Sequence, residues 1–365
     1  MQGDFHYYAT YCAAVLAGYD HKSSLAICYS AQMVDHCSRT FLKKVGGPSD
    51  AATTQLQLEL MEARTDPVGL WDITRIWSAF HFLPRDLNAE INKGPKNYRD
   101  KYRLICGPNG SLLIDTVKLA KGNGLQAAGI AMHVLADTWA HTYFAGTPSL
   151  VINNTNPYFF ELLPKEDGDF EKRRVVFSHN PSEAEDPEKG VYVGSLYQSS
   201  ENSIMNLGHG RAGHLPDYSF IRYIYLPAWG EYKETYKDNP SDYEHAFCQM
   251  VTALSYLKGD RETFEKEQYD TERTGPYLEK IREIIRKRQV DASNDWKAFG
   301  ESLTGESIPD FDMDACNEEY MKEKTDSFLE SFFNAALRQK NMVAARILES
   351  GSRLVGLPRR QIPKR

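Results

Sequence analysis

The sequence predicts a mainly α-helical protein with an irregular insert. Two observations support this fold class. Apolar residues recur at helical spacing along most of the 365 residues, and clusters of glycine, proline and polar residues divide these stretches into helix-sized pieces. Segments with the alternation typical of strands are few and short. We therefore expect a multi-helix bundle.

The first part of the chain predicts helices over 5–18 and 22–43, joined by a short turn at 18–20. Residues 46–69 are polar, and the partial alternation in TTQLQLELME predicts a mixture of loop and strand there. Residues 70–80 form a short aromatic segment that leads into a loop-rich region.

That loop-rich region, 84–110, precedes helices over 111–144, which should break at the GNG sequence of 122–124. An irregular insert follows at about 146–208, and its pieces RRVVFS and GVYVGSLY are candidates for a small hairpin. Inserts of this length in compact domains are often functional, as lids or substrate collars.

The last part of the chain predicts further helices. Residues 220–258 have apolar and aromatic positions at helical spacing, with Pro227 and Pro240 as breaks. Residues 261–290 predict a charged amphipathic helix, and 317–350 predict a bundle helix with one apolar stripe.

Composition places the chain among ordinary soluble globular proteins, with 41% hydrophobic and 25% charged residues. The net charge of −7 gives no general attraction to nucleic acids or anionic lipid surfaces. No apolar run reaches the ~20 residues of a membrane span, and no secretory signal is visible. The six cysteines lack CxxC spacing, which favours reduced thiols in a cytoplasmic protein.

The most informative motif is AMHVLADTWAHTYFAG, which contains His133, Asp137 and His141. On a helix, positions i, i+4 and i+8 lie on one face within about 80°. Two imidazoles and a carboxylate on one stripe suit zinc or a similar divalent ion. The competing interpretation is that these are polar core residues that are hydrogen-bonded to each other.

Further histidines and aspartates in apolar or glycine-rich settings favour the metal interpretation. One such residue would most simply be a satisfied core residue, whereas several separate segments are harder to explain in that way. The candidates outside the central motif are His6, Asp35, His81, His209, His214 and Asp217.

The order of these residues resembles the zinc-dependent phospholipase C fold, which the fungal single-strand nucleases share. That resemblance implies an all-helical protein with a trinuclear zinc cluster. The opening DFHYYATYCAAVLAGY and the segment GHGRAGHLPD also resemble an uncharacterised family of bacterial and fungal proteins, over most of the first 230 residues. This second resemblance implies no activity.

The first resemblance implies a role for each candidate. One zinc would be held by Asp35, His81, His133 and Asp137, and a third would use His6 and the other oxygen of Asp137. Asp35 would either also orient or deprotonate the attacking water or serve as a purely structural ligand. The second zinc would take the remaining candidates, with His209 competing for a place among His141, His214 and Asp217.

The chain departs from that family at two places. No Trp stands near the N-terminus to complete the third site, so either Asp4 replaces it or that site is weak or absent. The family ends on His-x3-Glu, whereas this chain has His214-x2-Asp217 with Pro216 between them, which predicts a loop or a helix start.

These observations predict a metal-binding helical domain over 1–260, with the insert at about 146–208, and a helical extension over 261–365 packed on it. We expect two or three zinc ions, with other divalent transition metals as alternatives, and hydrolysis of a small phosphoester, most simply a phosphodiester. The alternatives are a non-catalytic protein that a metal stabilises and a helical interaction protein without metal. The oligomeric state is open.

Overall fold

The computed structural model describes residues 1–89, 102–180, 182–194, 204 and 207–356. The described part is mainly helical, which confirms the mainly α-helical class. Its short strands depart from the all-helical fold that the resemblance implies. The chain begins with a π-helical segment, Asp4–Ala9, and a second π-helical segment, Trp77–His81, follows α5. The α-helices are α1 (Thr10–Leu16), α2 (His21–Met33), α3 (Arg39–Val45), α4 (Gln57–Ala63), α5 (Pro67–Ile76), α6 (Ser111–Ala120), α7 (Leu125–Ala140), α8 (Leu150–Asn153), α9 (His209–Ala212), α10 (Asn239–Lys258), α11 (Thr271–Thr274), α12 (Leu278–Arg286), α13 (Ser293–Thr304), α14 (Met313–Lys322) and α15 (Phe328–Glu349).

Six short strands accompany these helices. Four of them form an antiparallel sheet in the order β2-β1-β5-β6, and β3 and β4 pair separately in parallel. The strands are β1 (Phe160–Pro164), β2 (Phe170–Arg174), β3 (Val176–Ser178), β4 (Val191–Val193), β5 (Arg222–Tyr225) and β6 (Thr235–Asp238). Short 3-10 turns lie at Ser49–Ala51, Pro187–Lys189, Leu215–Asp217, Ala228–Gly230 and Gly275–Tyr277.

Helix α7 lies at the centre of the molecule, and every residue from Ala127 to Ala140 is buried. It packs against α2, α10, α6 and α15. Its closest neighbour is α2, because Gly129 has no side chain. A Cβ at this position would lie 2.3 Å from the carbonyl oxygen of Ile27, so only glycine permits this approach.

The helices share one hydrophobic core that draws on both the N-terminal and the C-terminal parts of the chain. Phe5 on the first π-helical segment contacts Trp296 of α13 edge-on, and Phe332 of α15 belongs to the same buried cluster. A smaller aromatic cluster, which includes Phe159 and Tyr225, lies beneath the sheet. Within the described ranges, every helix is too short or too polar to cross a lipid bilayer.

Several predicted boundaries are confirmed and others are wrong. The break at 122–124 separates α6 from α7 as expected. The single helix over 22–43 is wrong, because Ser38 begins a new helix by accepting a hydrogen bond from the backbone N–H of Phe41. The strand in TTQLQLELME is also wrong. Its leucines do not share one buried face, since Leu58 is 73% exposed.

The hairpin prediction within the insert is wrong in its pairing. The strands β3 and β4 from RRVVFS and GVYVGSLY pair in parallel, and the antiparallel hairpin of this region is β1 with β2. The loop between those two strands is short and contains Gly168 at a φ of +84°. Glycine adopts this conformation freely, so this loop has the hairpin signal.

In the last part of the chain, three predicted helices are too long. Residues 222–225 and 235–238 are strands, whereas the break at Pro240 is confirmed, because this residue lies in the first turn of α10. Aromatic residues at helical spacing misled the prediction for 220–238, since Tyr223 and Tyr225 are alternate residues on a buried strand face. The predicted helices over 261–290 and 317–350 are each divided into shorter helices.

Candidate metal centre

The carboxylate of Asp137 lies at the centre of a buried group of imidazoles. Its Oδ2 atom is 3.2 Å from Nε2 of His133 and 3.3 Å from Nδ1 of His81. Its Oδ1 atom is 3.2 Å from Nε2 of His6. Only 1% of Asp137 is exposed to solvent, so this charge depends on the groups around it.

Backbone carbonyl groups fix the tautomers of three of these histidines. His133 donates from Nδ1 to the oxygen of Ala31 at 2.9 Å, and His81 donates from Nε2 to that of Thr53 at 2.9 Å. His141 donates from Nδ1 to the oxygen of His81 at 2.7 Å. A carbonyl oxygen only accepts, so the other ring nitrogen of each histidine keeps its lone pair in the neutral form. Metal-binding histidines are oriented in the same way.

His6 differs from these three because it lacks such a partner. Its ring is fully buried and stacks on that of His133, with 3.8 Å between the ring centroids. Its Nε2 atom lies 3.2 Å from Oδ1 of Asp137 without a well-directed hydrogen bond, and its Nδ1 atom has no hydrogen-bond partner among the described residues. Buried polar atoms are nearly always satisfied, so His6 is chemically incomplete in the protein alone.

Asp35 lies at the edge of the same group, just beyond the end of α2. Its Oδ1 atom is 3.9 Å from Nδ1 of His81 and 3.9 Å from Nε2 of His133. The side chain is 30% exposed, unlike Asp137. This position leaves a carboxylate oxygen available to solvent or to a ligand.

A second group forms where the C-terminal end of α7 meets α9. Nε2 of His141 is 3.2 Å from Oδ1 of Asp217 and 3.1 Å from Nε2 of His209. The Nε2 atom of His209 is also 3.2 Å from the same carboxylate oxygen. His141, His209 and Asp217 therefore point their inner atoms at one position.

His214 lies outside this second group. Its Nδ1 atom is 3.2 Å from Oδ2 of Asp217, the oxygen that faces away from His141. Its side chain is 42% exposed. Leu215–Asp217 form a 3-10 turn, in agreement with a helix start at Pro216. This geometry favours His209 as the third member of the group and makes His214 a partner that orients the carboxylate.

The α-amino group of Met1 lies between the two groups. It is 2.7 Å from Oδ1 of Asp137, 3.2 Å from Oδ1 of Asp217 and 3.3 Å from Nε2 of His141. Sequence reasoning missed this group, since a backbone amine carries no residue-type signal. Asp4, the predicted substitute, is not part of the site, because its carboxylate accepts hydrogen bonds from the backbone N–H groups of Phe5 and Ala292.

Burial and charge determine the protonation states in the site. Desolvation by burial lowers the pKa values of His6, His133 and His141 to about 4 each, so these imidazoles are neutral at pH 7. Burial alone would raise the pKa of Asp137, but the neighbouring histidines and the α-amino group hold it well below its usual value. Burial likewise opposes the charge on Met1, yet Asp137 and Asp217 raise the pKa of this amine to about 11.

These groups fit a divalent transition metal ion. Neutral imidazole and ionised carboxylate are the protonation states that ligation requires. Three sets have ligand atoms within 4.8 Å of one another, and the unsatisfied ring of His6 belongs to the first. The sets are His6, His133 and Asp137; Asp35, His81 and His133; and His141, His209 and Asp217.

A cavity of about 300 Å³ opens onto both groups. Asp35, His81, Asp137 and the second group contribute to one wall, together with Met1. The other walls are largely apolar, and no Lys or Arg side chain lines the cavity among the described residues. These walls comprise Thr54, Leu60, Trp77, Phe82, Asn153, Ile204, Leu207 and Gly210.

Comparisons with known proteins give one family and no activity. Residues 1–347 match the model of a family of unknown function, DUF6765. No curated protein matches the chain, and no solved structure matches it.

Proposed function

The chain belongs to the DUF6765 family of unknown function, and from its own site we propose that it is a metal-dependent hydrolase of phosphoesters, most simply phosphodiesters. The observation that carries this proposal is the arrangement of His81, Asp137 and His141. His81 and Asp137 are 3.3 Å apart in the first group, His141 belongs to the second group, and all three line one cavity. A purely structural metal site has closed coordination, whereas a catalytic site keeps a side open to substrate.

Two or three zinc ions are the proposed cofactors. Imidazole nitrogens and carboxylate oxygens, without thiolates, suit zinc and related divalent ions. Asp137 is placed to serve two of the sets, since its Oδ1 atom faces His6 and its Oδ2 atom faces His81 and His133. When bound, such ions supply Lewis acidity to a water molecule and to a phosphoryl oxygen.

Asp35 is the residue that we propose as general base. Its partial exposure and its position on the cavity wall would let it accept a proton from a water molecule in the cavity. The oxygen of that water would attack phosphorus while the bond to the leaving oxygen breaks on the opposite side. The apolar wall formed by Trp77 and Phe82 would hold the organic part of the ester and exclude bulk water.

The phosphoester class rests on the resemblance of the ligand order. The order of the candidate ligands resembles that of zinc-dependent phospholipase C and the single-strand nucleases, and a phospholipase C-like bundle is part of the same proposal. The cavity also offers no described Lys or Arg to balance a phosphoryl charge. Bound cations at the carboxylate-rich wall would supply that balance.

The proposal is tested by metal content and hydrolysis in the same sample. The full chain, purified without chelator, should contain two or three equivalents of zinc or a related metal by mass spectrometry. It should hydrolyse bis(p-nitrophenyl) phosphate, lose this activity with a chelator and regain it with zinc. Full metal content without hydrolysis across a broad phosphoester panel would overturn the substrate class, and no metal after reconstitution would overturn the site itself.

A further inference from the structure

The orientation of His81 depends on parts of the chain outside the candidate metal centre. Its inner nitrogen, Nδ1, faces Asp137, and its outer nitrogen donates to the carbonyl oxygen of Thr53. That carbonyl belongs to a short segment after the 3-10 turn Ser49–Ala51, outside any helix or strand. The orientation of the imidazole is therefore only as well defined as this segment.

The peptide unit before that carbonyl is held at both of its polar atoms. The N–H of Thr53 donates to the carbonyl oxygen of Cys37 at 2.9 Å. On the other side, the carbonyl oxygen of Ala52 accepts a hydrogen bond from Nζ of Lys340 at 2.9 Å. Fixing this peptide plane fixes the N-terminal side of Thr53, whose own carbonyl receives the His81 proton. Rotation within Thr53 is then the backbone freedom that is left between the held plane and that carbonyl.

The residue next to Lys340 holds the other side of His81. Nε2 of Gln339 donates to the carbonyl oxygen of Ala79 at 3.1 Å, within the π-helical segment that ends at His81. The same atom also contacts Oγ1 of Thr116 at 3.0 Å. Two consecutive residues of α15 thus contact both the backbone that carries His81 and the segment that accepts its proton.

Stability alone gives a poor account of Lys340. The residue is only 8% exposed, and no carboxylate among the described residues lies within ion-pair distance of its ammonium group. Asp72 and Asp50 are the carboxylates that favour its charged form, from beyond ion-pair distance. Burying a charge without a close partner costs free energy, and an apolar side chain of similar length would avoid that cost. The hydrogen bond to Ala52 is what the lysine provides and methionine would not.

We propose that Lys340, with Gln339, is a positioning residue for the metal site: it holds the Ala52–Thr53 peptide so that His81 keeps its inner nitrogen on the metal position. The inference rests on the proposed function, because it assigns these residues to the orientation of a metal ligand. It extends the site to two residues of α15 that lie more than 250 residues after His81 in the sequence. The other buried residues of α15 belong to the core.

The test compares zinc binding by the full-length wild type and Lys340→Met, each stripped with chelator and titrated against a chromophoric competitor. Loss of groups that orient metal-binding histidines lowers metal affinity about 10- to 100-fold. We expect about a 10-fold loss for one equivalent of zinc, since Thr53 keeps its bond to Cys37. The affinities for the other zinc equivalents should be unchanged. The melting temperature of the metal-free protein should be unchanged or higher.

Arg346→Met is the matched control, because it removes a cation from the same helix that pairs with Asp115 and Glu349 at the surface. It should bind zinc like the wild type. If Lys340→Met does not fold, Gln339→Leu decides by the same criterion. Unchanged zinc affinity in the variant would overturn the positioning role alone. A wild type that binds no zinc would instead overturn the proposed function.

Discussion

The imidazole of His6 stacks on that of His133 at a centroid distance of 3.8 Å and nearly parallel, and both rings are fully buried. This buried pair is the clearest indication that the site binds a metal ion. Nδ1 of His133 donates to a carbonyl oxygen, whereas neither nitrogen of His6 has a hydrogen-bond partner among the described residues. Each neutral ring directs nitrogen toward Asp137, and a shared metal ion would satisfy them.

Replacing His6 should have opposite effects on the metal-free and metal-loaded proteins. In His6→Leu, the unsatisfied nitrogens are removed, and such groups cost about 1–3 kcal/mol when buried. The metal-free variant should therefore be as stable as the wild type or more stable, whereas zinc should stabilise it less. Thermal unfolding with chelator and with excess zinc measures both effects. A variant that is strongly destabilised without metal would show that His6 already has a structural partner.

The stability of the metal-free protein should fall as the solution is acidified from pH 6.5 to pH 4. Burial lowers the folded-state pKa values of His6, His133 and His141 to about 4, below the unfolded value of about 6.5. Between these values the unfolded chain binds protons that the folded protein excludes, so acid favours unfolding. The raised pKa of His81 acts above about pH 6.5, where its stabilisation is lost as pH rises. Within the range, burial raises the pKa of Asp4 to about 6, so this one carboxyl opposes the three histidines. Chemical denaturation at several pH values measures the free energy of unfolding, which should increase with pH across this range.

His209 and His214 should differ in their effects on metal content. His209→Ala removes an imidazole that faces His141 and Asp217 directly, so we expect the loss of about one equivalent of metal. His214→Ala removes only the contact to the outer oxygen of Asp217. We expect it to keep the full metal content, with affinity lowered about 10-fold. Mass spectrometry of both variants after identical dialysis decides between them, and the reverse ranking would assign the ligand role to His214.

Asp35→Asn should separate catalysis from metal binding. Loss of a general base lowers rates about 10²- to 10⁴-fold, and we expect kcat to fall in this range while metal content is kept. The amide retains an oxygen near His81 and His133, so their environment changes little. Turnover of a phosphodiester, normalised to bound metal, is the measurement. Loss of metal in parallel with activity would instead make Asp35 a required ligand.

A stability effect without an effect on the site is expected at Glu161. This carboxylate is 1% exposed and lies 2.6 Å from the guanidinium groups of both Arg173 and Arg288. Glu161→Ala leaves two cations without their shared partner. Breaking a buried pair in this way costs about 3–5 kcal/mol, and the partial exposure of the arginines places the expected loss near 3 kcal/mol. Urea unfolding measures the loss, and the zinc affinity of the folded variant should not change.

The sequence predicted the central helix best, because a helical stripe of two imidazoles and a carboxylate depends only on local geometry. His133 and Asp137 lie on α7 as expected, and His141 caps its end. The strands β5 and β6 were not predicted, since aromatic residues suit strands and helices alike and the other neighbour of β5 in the sheet, β1, lies in a distant part of the chain. The sequence also could not decide between His209 and His214. Their spacing from Asp217 does not determine which ring turns toward His141.

Other parts of the site have no sequence signal at all. The carbonyl groups of Ala31 and Thr53 orient His133 and His81, and any residue type provides such an oxygen. The α-amino group of Met1 is equally invisible to an analysis of side chains. Asp4 looked like a ligand by its position near His6, but its hydrogen bonds to Phe5 and Ala292 turn it toward α13.

The absence of a side chain at Gly129 also determines which side of the cavity can open. There α2 and α7 are in backbone contact, and the bond from His133 to Ala31 crosses the same interface. These two helices cannot separate without breaking that bond. We therefore expect their relative position to stay fixed while substrate enters and product leaves. Room for an incoming ester and an outgoing alcohol must then come from the apolar walls, to which Leu60 and Leu207 contribute.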